Sequence, residues 1–115
     1  MHELSIALSI VDGVLEEAER RGVGAVETVH LRVGRLSGID KDALQFSYRV
    51  ACENTPLADS RLVVEEVAVL IHCPTCRAER SAESFPLLLC AQCGSPADRV
   101  LQGEELEITG LEVAA

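Results

Sequence analysis

Aromatic side chains are nearly missing from this chain, whose 115 residues include no Trp, one Tyr and two Phe. Stacking on bases or sugar rings has little to work with, which argues against binding of single-stranded nucleic acid. Cations are also scarce. Ten Lys and Arg face nineteen Asp and Glu, for a formal charge of −9. Neutralising phosphates needs the opposite balance, so neither DNA nor RNA is expected as a partner. No apolar run approaches the roughly 20 residues that span a bilayer, and no membrane crossing is expected. The chain opens on mixed polar and apolar residues, not on a basic stretch followed by an apolar one, so no secretory signal is expected either. A glycine-rich phosphate loop and a G-x-S-x-G elbow are both absent. The expectation is a cytoplasmic protein that is not an enzyme.

What is present is aliphatic. Hydrophobic residues make up 48% of the chain, so the core has to be built from Leu, Val, Ile and Ala. From Leu4 to Arg21, apolar groups at Leu4, Ala7, Leu8, Val11, Val14, Leu15 and Ala18 follow the period of an amphipathic helix. Arg20 and Arg21 suit the negative end of its dipole, and Gly22 suits its C-cap. Val26–Val33 then alternates, with Val29, Leu31 and Val33 on one face and Thr28, His30 and Arg32 on the other, the period of a half-buried strand. Asp40 is placed to cap a second helix with apolar positions Ala43, Leu44, Phe46, Tyr48, Val50 and Ala51. Asn54-Thr55-Pro56 ends it, because a residue before proline is pushed out of helical geometry. Arg61–Ile71 reads as one long strand and Glu104–Val113 as another, the latter with a β-bulge at Gly110 that brings Leu106, Ile108, Leu111 and Val113 to one face. The expected architecture is α+β: two helices packed on a small three-stranded sheet, residues 1–71 plus 98–115, with an inserted lobe at 72–97.

That lobe carries four of the five cysteines. Cys73, Cys76, Cys90 and Cys93 form two C-x-x-C knuckles separated by thirteen residues. Four thiolates so spaced can close a tetrahedral cage around Zn²⁺, with no position open to substrate, so the metal is structural. A redox dithiol needs one such pair within a larger α/β sheet. Two pairs, each beside a turn-forming Pro74 or Gly94, fit a zinc ribbon better. An odd cysteine count without a secretory signal also favours a reduced metal site over disulfides. With roughly 26 residues the lobe cannot hold a core unaided, and its folding is expected to be coupled to metal. Cys52 lies in the second helix and reads as a small buried hydrophobe. His72 abuts Cys73 and is either a neighbour of the cage or a plain strand end. His30 reads as a solvated strand residue.

The N-terminus holds a second metal signal. In Met1-His2-Glu3 a free amine, backbone amides and an imidazole form adjacent chelate rings of a size that suits a square-planar ion, and nitrogen-rich tetragonal sites favour Ni(II) or Cu(II). The first amides of a helix have no intrahelical acceptor, so ligation there breaks no helix bond. The positive end of the helix dipole opposes a cation, and deprotonated amides have to offset it.

Met1-His2-Glu3 opening an amphipathic helix, some seventy residues of α+β, and Cys73-x-x-Cys76 with Cys90-x-x-Cys93 together resemble the HypA/HybF family of nickel metallochaperones for [NiFe]-hydrogenase maturation. Leu31-Arg32-Val33-Gly34 and Cys93-Gly94-Ser95 are also similar to it. The resemblance implies Ni(II) as cargo at Met1, His2 and Glu3, through the Met1 amine, the His2 amide and imidazole, and the Glu3 amide. It implies structural zinc at Cys73, Cys76, Cys90 and Cys93. As partners it implies a nickel-binding GTPase of the HypB type and the hydrogenase large subunit, with urease as a further destination. A zinc-ribbon adaptor that binds protein partners without nickel is the alternative reading.

Overall fold

A computed structural model describes residues 2–82 and 87–114. The first helix, α1 (Glu3–Arg21), buries Ala7, Ile10, Val11, Val14 and Ala18; Leu4 and Leu8, read as part of the stripe, are exposed, and Ile10 takes a place in it instead. It ends on Gly22 at φ 64°, whose amide donates to the carbonyls of Ala18 and Glu19, a left-handed cap that glycine adopts without strain. Strand β1 (Val26–Gly34) buries Val29, Leu31 and Val33 as the alternation requires, but Thr28, read as outward, is buried too. After a 3₁₀ turn at Arg35–Ser37, α2 (Lys41–Cys52) starts on Asp40, whose carboxylate accepts from the Ala43 amide at 3.0 Å.

The buried stripe of α2 is Leu44, Tyr48 and Cys52, not the broader set that its apolar residues suggest. Phe46 is 61% exposed and Val50 is exposed beside it, on the opposite side of the helix from Leu44 and Tyr48. The helix stops where proline geometry predicts: Asn54 takes φ 62°, and both the amide and the hydroxyl of Thr55 donate to the Cys52 carbonyl.

The segment read as one strand from Arg61 to Ile71 is two, β2 (Arg61–Val67) and β3 (Leu70–Cys73), and they belong to different sheets. With β6 (Leu106–Val113) the first sheet has the order β2-β1-β6; β4 (Ala78–Ser81) and β5 (Arg99–Gln102) flank β3 in the second. Both helices and the first sheet form the α+β layer that the sequence predicts. Along β6, however, Leu106, Ile108 and Val113 stay between 42% and 45% exposed. As an edge strand, β6 has a neighbour on one side only. An apolar groove of about 600 Å³ lies between it and α1, lined among others by Val14, Ala18, Ile108 and Leu111.

The chain divides into two compact units. One comprises residues 1–32, 38–65 and 107–115; the other comprises 33–37 and 66–106. Each has its own interior. In the second, Val69, Ile71, Cys73, Ala82 and Cys90 form the buried cluster, with Leu36, Cys76, Leu88 and Ala97 against it. Gly34 belongs to this unit and packs backbone to backbone: a side chain there would run into the Gly103 carbonyl, and its amide donates to Glu105. Among the described residues no helix is long and apolar enough to cross a membrane.

Candidate metal centre

Strand β3 delivers Cys73 at its last residue, and the chain turns at once into β4. In that turn the Arg77 amide donates to the Cys73 carbonyl at 2.8 Å, and Arg77 takes φ 56°. The second knuckle repeats the arrangement, for the Gly94 amide donates to the Cys90 carbonyl at 2.8 Å and Gly94 takes φ 76°. In each, an amide within the turn points at the first sulfur: Cys76 N–H at Cys73 Sγ, 3.3 Å, and Gln92 N–H at Cys90 Sγ, 3.4 Å. Such donors favour the thiolate and orient it.

The four sulfurs converge, all lying within 4.8 Å of one another. Cys73 and Cys93 are 3.5 Å apart, and Cys76 and Cys90 are 4.0 Å apart. A tetrahedral zinc site with Zn–S bonds of about 2.3 Å has sulfur edges of about 3.8 Å. The donor set therefore fits one Zn²⁺, and with four protein ligands it leaves no open position. The metal would lock the two turns together.

Environment differentiates the four thiols. Cys73 and Cys90 are buried, Cys76 is half-buried and Cys93 is exposed. The hydroxyl and amide of Ser95 draw the Cys93 thiol down to about 6. Burial works against ionisation of Cys90, yet the amides of Cys93 and Gln92 hold it below its ordinary value. Cys76 goes the other way, to about 11, raised by Cys93, burial and Cys73, with the Arg80 guanidinium opposing. In the sequence Ser95 appears only as the end of Cys93-Gly94-Ser95, with no role of its own, and Arg80 does not stand out at all.

His72 is not part of the cage. It alternates with Cys73 along β3 and so faces the other side of the sheet, where Nδ1 meets Asp98 Oδ1 at 2.8 Å and holds that carboxyl below its usual range. His30 is engaged by Glu112. Cys52 is 2% exposed, next to Tyr48 and Ser60, with burial pushing its thiol up, as expected of a small buried hydrophobe.

At the other metal signal, Met1 lies outside the described residues. His2 occupies the N-cap of α1, its carbonyl accepting from the Ile6 amide, while its side chain makes no capping bond and is exposed. The Glu3 carboxylate accepts from the Asp40 amide at 3.0 Å, and this bond holds its pKa below the ordinary value. Asp40 thus does two things, capping α2 with its side chain and mooring the start of α1 with its backbone. The sequence reveals only the first, since thirty-seven residues separate the second pair.

The family profile described as "Hydrogenase/urease nickel incorporation, metallochaperone, hypA" matches residues 1–113. The chain belongs to the HypA family. The hydrogenase maturation factor HypA of Chloroflexus aurantiacus is 45% identical over 112 residues, covering 97% of this chain and 98% of the relative. That of Streptomyces avermitilis is 40% identical, covering 96% and 86%. The solution structure of the nickel metallochaperone HypA from Helicobacter pylori superposes with a TM-score of 0.69 over 100% of this chain and 99% of that one, at 24% identity. At that identity the likeness speaks for the fold. HypA-family membership makes the chain a hydrogenase maturation factor of the metallochaperone class.

Proposed function

We propose that this protein carries Ni(II) at its N-terminus and delivers it for [NiFe]-hydrogenase maturation, while a separate zinc ion holds the cysteine lobe. The observation that supports this most directly is the state of His2. It sits at a helix start with an exposed imidazole that no capping duty consumes, as an entry ligand requires. The cargo ligands are the Met1 amine, the His2 amide and imidazole, and the Glu3 amide. The Glu3 carboxylate stays with Asp40 and fixes the first turn beneath them.

The zinc ligands are Cys73, Cys76, Cys90 and Cys93. When bound, zinc supplies a cross-link and no reaction chemistry. A thiolate cage of this kind is kept intact in a reducing compartment, which supports a cytoplasmic location. A nitrogen-rich site prefers Cu(II) to Ni(II) intrinsically, so nickel selectivity comes from copper scarcity and from docking on partners: a GTPase of the HypB type and the hydrogenase large subunit.

Titration calorimetry with Ni(II), on zinc-loaded protein with an unextended start, tests the assignment. Nickel should bind in addition to one zinc. His2→Ala and a variant with one residue added before Met1 should each lose that binding. Undiminished nickel affinity in both variants removes the N-terminal site. One zinc with no nickel uptake in the parent chain leaves the adaptor reading instead. Pull-down with urease maturation partners decides whether urease is a second destination.

A further inference from the structure

The alternation along β4 places a charge where an apolar group belongs. Glu79 and Ser81 are exposed, while Ala78, Arg80 and Ala82 lie on the inner face. Across the ladder, Cys73 pairs with Ala78 and Ile71 with Arg80. Cys73 and Ile71 are core residues of the lobe, so Arg80 stands on the face that holds the cage, flanked by two alanines. One terminal nitrogen donates to the Glu79 carbonyl at 3.0 Å, but its Nε is fully buried and finds no partner among the described residues. An inward guanidinium with an unmet N–H costs free energy unless an anion faces it. Cys76 packs against the same buried cluster that holds Ile71, the ladder partner of Arg80, and its sulfur is engaged by the Arg80 side chain. Four thiolates around Zn²⁺ carry a net charge of −2, so the cage is such an anion.

We propose that Arg80 is a positioning residue of the zinc cage, a counter-charge that bonds to the Cys76 sulfur, strengthens retention of the metal and screens that sulfur from electrophiles. This rests on the assignment of zinc to the four cysteines. Partners outside a metal's immediate ligands commonly change its affinity 10- to 100-fold. An N–H···S bond also withdraws electron density from a thiolate, which lowers its nucleophilicity while it stays bound.

The whole zinc-loaded chain provides the test, using Arg80→Met to keep the bulk without the charge and Arg80→Lys to keep the charge without the planar fork. In competition with a chromophoric chelator, the Met variant should lose about tenfold or more in zinc affinity, and the Lys variant should recover part of it. Iodoacetamide labelling, mapped by mass spectrometry, should speed at Cys76 in the Met variant more than at Cys90 or Cys93, a selectivity that general loosening of the lobe does not produce. Parent-like zinc affinity with an unchanged order of labelling overturns the inference. Should the Met variant fail to fold, the parent loaded with ¹¹³Cd decides: scalar coupling between cadmium and an Arg80 side-chain N–H supports the bond, and its absence overturns it. A parent chain that takes up no zinc overturns the zinc assignment itself, a result distinct from zinc bound with Arg80 indifferent.

Discussion

The helical unit and the cysteine lobe solve the same problem with different materials. In the first, Val14, Val29, Leu31, Leu44, Tyr48 and Leu57 are almost wholly buried, and each contributes roughly 1.5–3 kcal/mol by leaving water. In the second, two of the five residues of the buried cluster, Cys73 and Cys90, are cage sulfurs. One interior is held by aliphatic burial, while the other is built around four converging sulfurs, the ligands of the proposed zinc. Loss of one metal should therefore divide the chain's behaviour sharply, since only Val69, Ile71 and Ala82 remain in the lobe's buried cluster once the two sulfurs are discounted.

The largest effect should therefore follow from stripping the zinc. Binding of structural zinc is worth on the order of 10–16 kcal/mol in small metal-dependent folds. A strong chelator, or Cys73→Ala, should erase dispersed amide resonances from β3, β4 and β5 while those of α1 and α2 persist. Collapse of both sets together would break the contrast. Next in size, Leu44→Ala removes a side chain that is 0% exposed and should cost about 2–5 kcal/mol. Zinc stoichiometry should remain one per chain, read by metal analysis beside a denaturant melt. Smaller still, Asp40→Ala deletes the α2 cap seen at the Ala43 amide, for about 1 kcal/mol. It should leave the Asp40 amide bonded to Glu3, since that donor is backbone.

Acid sharpens the same comparison. The Glu3 carboxyl titrates below its ordinary 4.5 when folded, so the unfolded chain holds that proton more tightly. Its stabilising bond is complete above the ordinary value and fades as pH falls through the lowered one. The Asp40 amide resonance should move further over that window in the parent than in Glu3→Ala, the difference reporting the Glu3 bond. The smallest effect belongs to Glu17. Arg20 and Arg21 bring it down to about 2, yet both arginine side chains are 67% exposed and the pair is screened by solvent, so Glu17→Gln should barely move the melting temperature, and less so in high salt.

Much of the helical unit was legible because its periods are clean. The stripe of α1, the alternation of β1 and the breaker at Thr55-Pro56 each name their own element. Reading failed where periodicity is silent about partners. Aliphatics run nearly unbroken from Leu62 to Ile71, which suggested one strand; Glu65-Glu66, two charges in succession, was the local sign that alternation lapses before β3. Apolar residues on β6 look like core by composition, but Leu106, Ile108 and Val113 stay partly exposed, whereas Leu62 and Val67 on the other edge strand, β2, are buried; what covers a strand's face decides burial, and composition does not report it. The cage itself was the most readable feature, since four sulfurs need no periodicity to declare a tetrahedron. Arg80, Ser95 and the Asp40 amide became visible only once pairing brought them to their partners.

The two cysteine turns follow one backbone path, but one of them bends at Arg77 and the other at Gly94. A side-chain-bearing residue in the left-handed region carries strain of about 1–3 kcal/mol, from which glycine is exempt. The cage accordingly has a tense half and a slack half. Whatever clamps the tetrahedron shut works against a spring on the Cys73–Cys76 side alone, and when that clamp lets go, recoil starts there.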